Sequence, residues 1–194
     1  MEAGMDTRTV LNFLKVAEKL KCNTRHSYTS SGRAESVAEH TFRLCVFAWL
    51  VKDEFPGVDI NRVTQMCLFH DFGEAVTGDI PVFEKNSMDE VTEAQAVEQL
   101  LTLLPGREAG ELRELFAEMD ARNTLEAKLF HALDKMEAVI QHNEADISTW
   151  IPLEYDLQLT HGRKEAEAFP YMKELRELVA EDSLKKIEEE KAHQ

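Results

Sequence analysis

His70 and Asp71 stand side by side, with Glu74 just beyond them and the run Thr77-Gly78-Asp79-Ile80-Pro81 following, and no other stretch of the chain is as well equipped for chemistry. A neighbouring histidine and aspartate offer a divalent cation one imidazole and one carboxylate. Glu74, four residues after His70, shares its helical face if the helix runs on, and is then an acid left free to handle protons. His-Asp pairs are common, so this one needs partners elsewhere. His40, within Ser36-Val37-Ala38-Glu39-His40-Thr41, and Asp134, within Leu133-Asp134-Lys135-Met136, each sit in an apolar-patterned helix and supply them. Two imidazoles and two carboxylates balance a divalent cation and leave room for water and a substrate oxygen in an octahedral shell. A cation so held lowers the pKa of bound water and stabilises charge on a phosphoryl oxygen. Mixed nitrogen and oxygen donors without thiolate suit one divalent ion, Mn, Co, Fe or Zn.

Each ligand also has a plainer explanation. His40 could be a packed helix histidine, His70 a partner for a helix C-terminal dipole, Asp71 a surface acid, and Asp134 a partner for Lys135 or Arg122. Taken together they are harder to dismiss, because three apolar helices each present a polar ligand type near a core face, and buried acids are rare unless paired or metal-bound.

The elements that must position these groups read as helices, with apolar residues recurring at three and four and no period-two runs, so the fold class is all-α. Residues 9–20 form a first amphipathic helix, followed by a Ser- and Thr-rich loop over 23–32. Ser36 and Glu39 make a capping box for a helix running to about Phe55, where Pro56-Gly57 stops it, and this puts His40 in its first turns. Asp59 caps a third helix through Phe69, closed by His70 and Asp71, with Gly73 at its end or kink. Gly78 to Pro81 is a turn. Ser87 and Glu90 form a second capping box for a helix over 88–104. A shorter helix spans 108–119, and a long one spans 124–142 with Leu125, Leu129, Leu133, Met136 and Ile140 on one face and Asp134 at its flank. After a break at Trp150-Ile151-Pro152 a last helix runs from about residue 164 to about 190. The expected organisation is a single helical domain over 1–194, with the metal-site core at about 25–141.

At 194 residues, 43% hydrophobic and 30% charged, the chain suits one domain with a full core. No apolar run approaches the ~20 residues needed to cross a bilayer. Cys22, Cys45 and Cys67 are odd in number and lack C-x-x-C spacing, which favours a reducing, cytoplasmic setting over zinc or redox chemistry. A net charge of −15 argues against polymeric nucleic acid as a partner, yet a cation and one or two arginines can reverse the sign of a pocket that takes a small phosphorylated molecule. His131, His142 and His161 leave a second metal conceivable, but they fit surface positions better.

The H…HD…D pattern of His40, His70-Asp71 and Asp134 resembles the HD-domain metal-dependent phosphohydrolases, a single-domain helical bundle. With Glu35 to His40 before it, and Glu74 and Thr77 to Pro81 after it, it resembles the branch containing bacterial 5'-deoxynucleotidases, over about residues 25–141. The resemblance implies metal ligands at His40, His70, Asp71 and Asp134. It also implies functional acids at Glu74 and Asp79, one serving proton transfer or water activation and the other positioning water or substrate. Arg25 falls where that branch carries an arginine for the substrate phosphate, a fork of donors suited to that group. His26 follows it where the deoxynucleotidases have a tryptophan, and Arg33 is a second candidate phosphate contact. The implied reaction is phosphomonoester hydrolysis of (deoxy)nucleoside 5'-monophosphates by metal-bound water. Alternatives are a phosphodiesterase or nucleoside triphosphate hydrolase acting on another metabolite, or a non-catalytic metal-stabilised nucleotide-binding module. The resembling enzymes are often dimers, so a homodimer is compatible.

Overall fold

A computed structural model describes residues 5–81 and 83–193. Its elements run α1 (Thr7–Lys19), β1 (Thr24–Tyr28), β2 (Ala34–Ser36), α2 (Val37–Leu50), α3 (Ile60–Phe69), α4 (Glu74–Thr77), α5 (Ser87–Leu101), α6 (Gly106–Ala121), α7 (Leu125–Glu144), α8 (Pro152–Thr160), α9 (Arg163–Ala166) and α10 (Pro170–His193). Helices α2, α3 and α7 pack against one another, and α10 covers α7. Leu44, Val63, Met66, Leu129, Leu133 and Met136 are fully buried at their junction. These residues recur at helical spacing, so burying the apolar stripes brings the three helices together and fixes the polar residues at their edges.

The Ser36–Glu39 capping box forms as expected, with the Ser36 hydroxyl accepting from the Glu39 N–H and the Glu39 carboxylate accepting from the Ser36 N–H. Asp59 caps α3 through the N–H groups of Asn61 and Arg62. The second capping box lies one residue earlier than the sequence suggests, between Asn86 and Asp89 instead of Ser87 and Glu90. Asparagine is as good an N-cap as serine, so the local chemistry allowed both registers.

Three other differences matter more. The segment expected as a loop over 23–32 instead begins an antiparallel hairpin, pairing Thr24 with Ser36 and Tyr28 with Ala34, with an irregular register between them. Gly32, at φ 82, makes its turn. Helix α2 ends at Leu50, and a single 3-10 turn over Lys52–Glu54 carries the chain to Phe55. Beyond Trp150 the chain folds into α8 and α9 before α10 starts at Pro170, because Pro152 suits the first turn of a helix and Gly162, at φ 72, ends the next connection. Among the described residues no helix is long and apolar enough to cross a membrane.

Candidate metal centre and cavity

His40 enters from the first turn of α2, His70 caps the C-terminus of α3, Asp71 follows in the turn, and Asp134 comes from the middle of α7. His40 Nε2 lies 3.3 Å from His70 Nε2 and 3.2 Å from Asp134 Oδ1. His70 Nε2 lies 3.0 Å from Asp71 Oδ2 and 3.6 Å from Asp134 Oδ1. His40, His70 and Asp71 offer donor atoms all within 4.8 Å of one another. Donors bound at about 2.0–2.2 Å to one ion stand roughly 3–4 Å apart, so this spacing matches a shared coordination shell.

The opposite ring nitrogens decide the fit. His70 Nδ1 donates to the Cys67 carbonyl at 2.9 Å, and His40 Nδ1 is held by the Glu137 carboxylate. These contacts turn both Nε2 atoms into the same space as two carboxylates, a donor set that a divalent cation would bind once the imidazoles are neutral. With no cation bound, the imidazoles and carboxylates satisfy one another as charges. Burial opposes ionisation of Asp71, but His70 beside it holds its carboxyl down at about 2. Burial likewise works against a charged His70, and Asp71 overrides it, raising the imidazole to about 9. Asp134 is held well below the usual carboxylate range by His40 and His70 despite its burial.

Glu74 arrives by a different route from the one its spacing suggests. The helix breaks at residues 70–73, and Glu74 opens the short α4, its N–H donating to the Asp71 carbonyl at 3.0 Å. Asn23 ties the start of β1 to the Glu74 carbonyl. The side chain is 7% exposed, and its Oε2 has no hydrogen-bond partner. Burial, then the charges of Asp71 and Asp79, push its pKa up to about 10. Asp79 follows Gly78, whose φ of 77 makes the turn. Burial raises Asp79 also, against Arg25.

Arg25, His26, Asp71, Glu74, Asp79 and Asp134 line a cavity of about 250 Å³. Arg25 stands 3.8 Å from Glu35 and 4.0 Å from Asp71, and its Nη1 is buried without a hydrogen-bond partner. Burial opposes its charge, yet Asp71, Glu137, Asp134 and Glu35 keep its pKa above the ordinary value. Arg33, expected as a second phosphate contact, lies away from the cavity. It is exposed, held by Glu39 through a bond of 2.8 Å from Nη1, and does not line the cavity, because the hairpin turn carries it outward to the capping carboxylate.

The sequence reading did not single out several residues that shape the site. Glu137 is 1% exposed and Arg43 Nε lies 2.9 Å from its free oxygen. Its signal was present: Asp134, Glu137 and Gln141 fall at i, i+3 and i+7 on α7. Gln141 carries the linkage on to β1 by donating to the Tyr28 carbonyl at 2.7 Å. Glu154, from the first turn of α8, is 5% exposed and lies on the cavity wall. His142 and His161 also line the cavity, contrary to the surface positions expected, whereas His131 is half-buried with Nε2 at 2.9 Å from the Met119 carbonyl.

A helical fold that gathers His, His-Asp and Asp from three helices defines a class, and comparison with known proteins agrees with it. A family model described as HD domain matches residues 17–176. The chain belongs to the HD-domain family. Among its relatives is the human protein named 5'-deoxynucleotidase HDDC2, 33% identical over 150 residues that cover 73% of this chain and 71% of that one. The Schizosaccharomyces pombe protein named 5'-deoxynucleotidase hdd1 is 29% identical over 160 residues, covering 73% and 80%. A crystal structure described as a predicted metal-dependent phosphohydrolase from Magnetospirillum magnetotacticum superposes with a TM-score of 0.79 at 27% identity, covering 92% of this chain and 93% of that one.

Proposed function

We propose that the protein is a metal-dependent phosphomonoesterase acting on nucleoside 5'-monophosphates, deoxyribonucleotides above all. The observation that carries this reading is the convergence of His40, His70 and Asp71, with Asp134 beside both imidazoles, at the edge of a cavity that also holds a buried guanidinium nitrogen without a partner. The names of the human and S. pombe relatives support the substrate class.

In this reading His40, His70, Asp71 and Asp134 hold one divalent cation, with Glu137 and the Cys67 carbonyl orienting the imidazoles. The cation supplies Lewis acidity toward a phosphoryl oxygen and makes water a better nucleophile near neutral pH. Arg25 takes the phosphate on its free Nη1 edge, and the anchors at Glu35 and Asp71 keep the fork aimed. Hydrolysis forms one oxygen–phosphorus bond from water, breaks the ester bond, and requires one proton taken from water and one given to the departing sugar oxygen. Glu74 serves those transfers and Asp79 positions water or substrate. The free cysteines Cys22, Cys45 and Cys67 support a reducing, cytoplasmic setting, and a homodimer remains compatible with this site.

The test begins with chelator-stripped protein returned to Mn, Co, Fe or Zn and given nucleoside mono-, di- and triphosphates and phosphodiesters. Phosphate release from 5'-monophosphates that depends on the added metal is the expected result. Failure to hydrolyse any phosphate monoester with any metal would remove the proposal. Glu137→Gln gives a finer expectation. It keeps the shape of the buried group but weakens the bond to His40 Nδ1, so metal affinity in a Mn titration should fall by about 10–100-fold. Unchanged affinity would show that Glu137 does not support the ligand.

A further inference from the structure

Beyond Arg25 the cavity has a second polar face that the hydrolysis of a phosphate ester does not use. Ser27 is 5% exposed, lines the cavity, and its hydroxyl has no hydrogen-bond partner. A buried hydroxyl left unpaired costs stability unless something else satisfies it. Glu154, on the wall of the same cavity, is equally buried. One of its oxygens accepts the Ile151 N–H at 2.8 Å as part of the α8 cap. The other, Oε1, faces His26 Nε2 at 3.2 Å and His142 Nε2 at 3.7 Å. Neither contact completes it, since His26 Nε2 itself has no partner in hydrogen-bonding geometry. The His26 ring is packed edge-on against Phe83 at 5.5 Å, so the group is held in place from the far side.

We infer that Ser27, His26 and Glu154 form a hydroxyl-binding subsite that holds the sugar 3'-hydroxyl of the nucleotide, an assignment that rests on the nucleotide reading above. A hydroxyl donates and accepts through a single atom. It can give its proton to Glu154 Oε1 and accept one from His26 Nε2 or from Ser27 Oγ, the buried polar atoms there without a partner. Position favours the sugar over the base. Arg25 and His26 are consecutive, with Cα atoms about 3.8 Å apart, and the sugar is the first polar part of a nucleotide beyond its 5'-phosphate. His142 braces Glu154 from α7, and Trp150 packs edge-on against His142 at 6.3 Å.

The experiment compares a 2'-deoxynucleoside 5'-monophosphate with its 2',3'-dideoxy counterpart in the wild type, Glu154→Gln and Ser27→Ala. Two readouts are taken: kcat/KM, and calorimetric affinity of the Mn-loaded protein for the matching uncleavable 5'-methylenephosphonates. The wild type should prefer the 3'-hydroxyl by about 10–100-fold, as a hydrogen bond to a buried charged group implies. Glu154→Gln keeps an acceptor for the Ile151 N–H and should shrink that preference by at least about fivefold, and Ser27→Ala should shrink it in the same direction. Equal losses on both ligands, or a wild type indifferent to the hydroxyl, would overturn the subsite. If Glu154→Gln does not fold by circular dichroism, Ser27→Ala decides. Discrimination between the phosphonates without turnover of either ester would retain the subsite and defeat the phosphomonoesterase reading, whereas turnover without discrimination would do the reverse.

Discussion

Asp71→Ala should yield a folded protein that retains almost no divalent metal and releases phosphate no faster than chelator-treated wild type. Asp71 Oδ2 is 3.0 Å from His70 Nε2 and 3.9 Å from His40 Nε2, so its loss opens the donor set on the side facing Arg25. It also removes one of two carboxylate charges that balance the cation, leaving a site whose remaining charge no longer matches a divalent ion. A second consequence follows at Arg25, which loses its largest favourable partner and keeps only Glu35 close by. Substrate affinity should therefore fall even at saturating metal. The fold should survive, because Asp71 lies in the turn after α3 and not among the buried residues of α2, α3 and α7. Thermal melts with and without Mn separate these effects. A ligand bound only by the native state at 100 times its Kd stabilises by about 2.7 kcal/mol, so the wild-type melting temperature should rise with Mn while that of the variant stays put. Elemental analysis showing wild-type metal content in Asp71→Ala would remove Asp71 from the donor set.

The chain order of this site was legible because its positions are set locally. Ser36 and Glu39 cap each other, which fixes where α2 starts and so which turn carries His40. Asp59 does the same for α3, and the helix then ends at the histidine that the pattern marks. The apolar stripe of α7 places Asp134 at a core edge whatever the neighbouring loops do. Short-range chemistry of this kind survives without knowledge of the fold. The hairpin did not show itself, because Thr24-Arg25-His26-Ser27-Tyr28 has no alternation of apolar and polar residues and its partner is only three residues long. Its strand is stabilised from outside, by Gln141 on α7 and by Asn23 reaching Glu74. Glu154 was hidden for the same reason. It reads as the acid of a helix cap, which it is, and only the approach of His26 from the hairpin makes it part of a cavity wall. Glu74 shows a third case: it lines the cavity, but the continuous helix expected to carry it is broken at 70–73.

Glu74→Gln should cut kcat by about 10²–10⁴-fold, the usual contribution of a positioned proton-transfer group, with metal content unchanged. Glutamine fills the same space and can accept hydrogen bonds, but it cannot exchange a proton between pH 4 and 10. The variant also has a stability signature. With no cation bound, burial and the charges of Asp71 and Asp79 push the Glu74 carboxyl from the usual 4.5 up to about 10. An acid raised on folding keeps its full contribution below the unfolded-state pKa and loses it as pH climbs toward the folded-state value, since the unfolded chain ionises first. Metal-free wild type should therefore fall progressively behind metal-free Glu74→Gln between about pH 4.5 and 10, with the two converging at the acid end. A cation beside Asp71 offsets one of the charges that hold the proton on Glu74. Metal binding by the wild type should accordingly release a proton and strengthen with pH more steeply than in the variant. Calorimetry of Mn binding in two buffers of different ionisation enthalpy counts that proton directly. Loss of metal together with activity would make Glu74 a ligand, near-normal kcat would take it out of the chemistry, and intact metal with collapsed turnover leaves it as the acid that moves the proton.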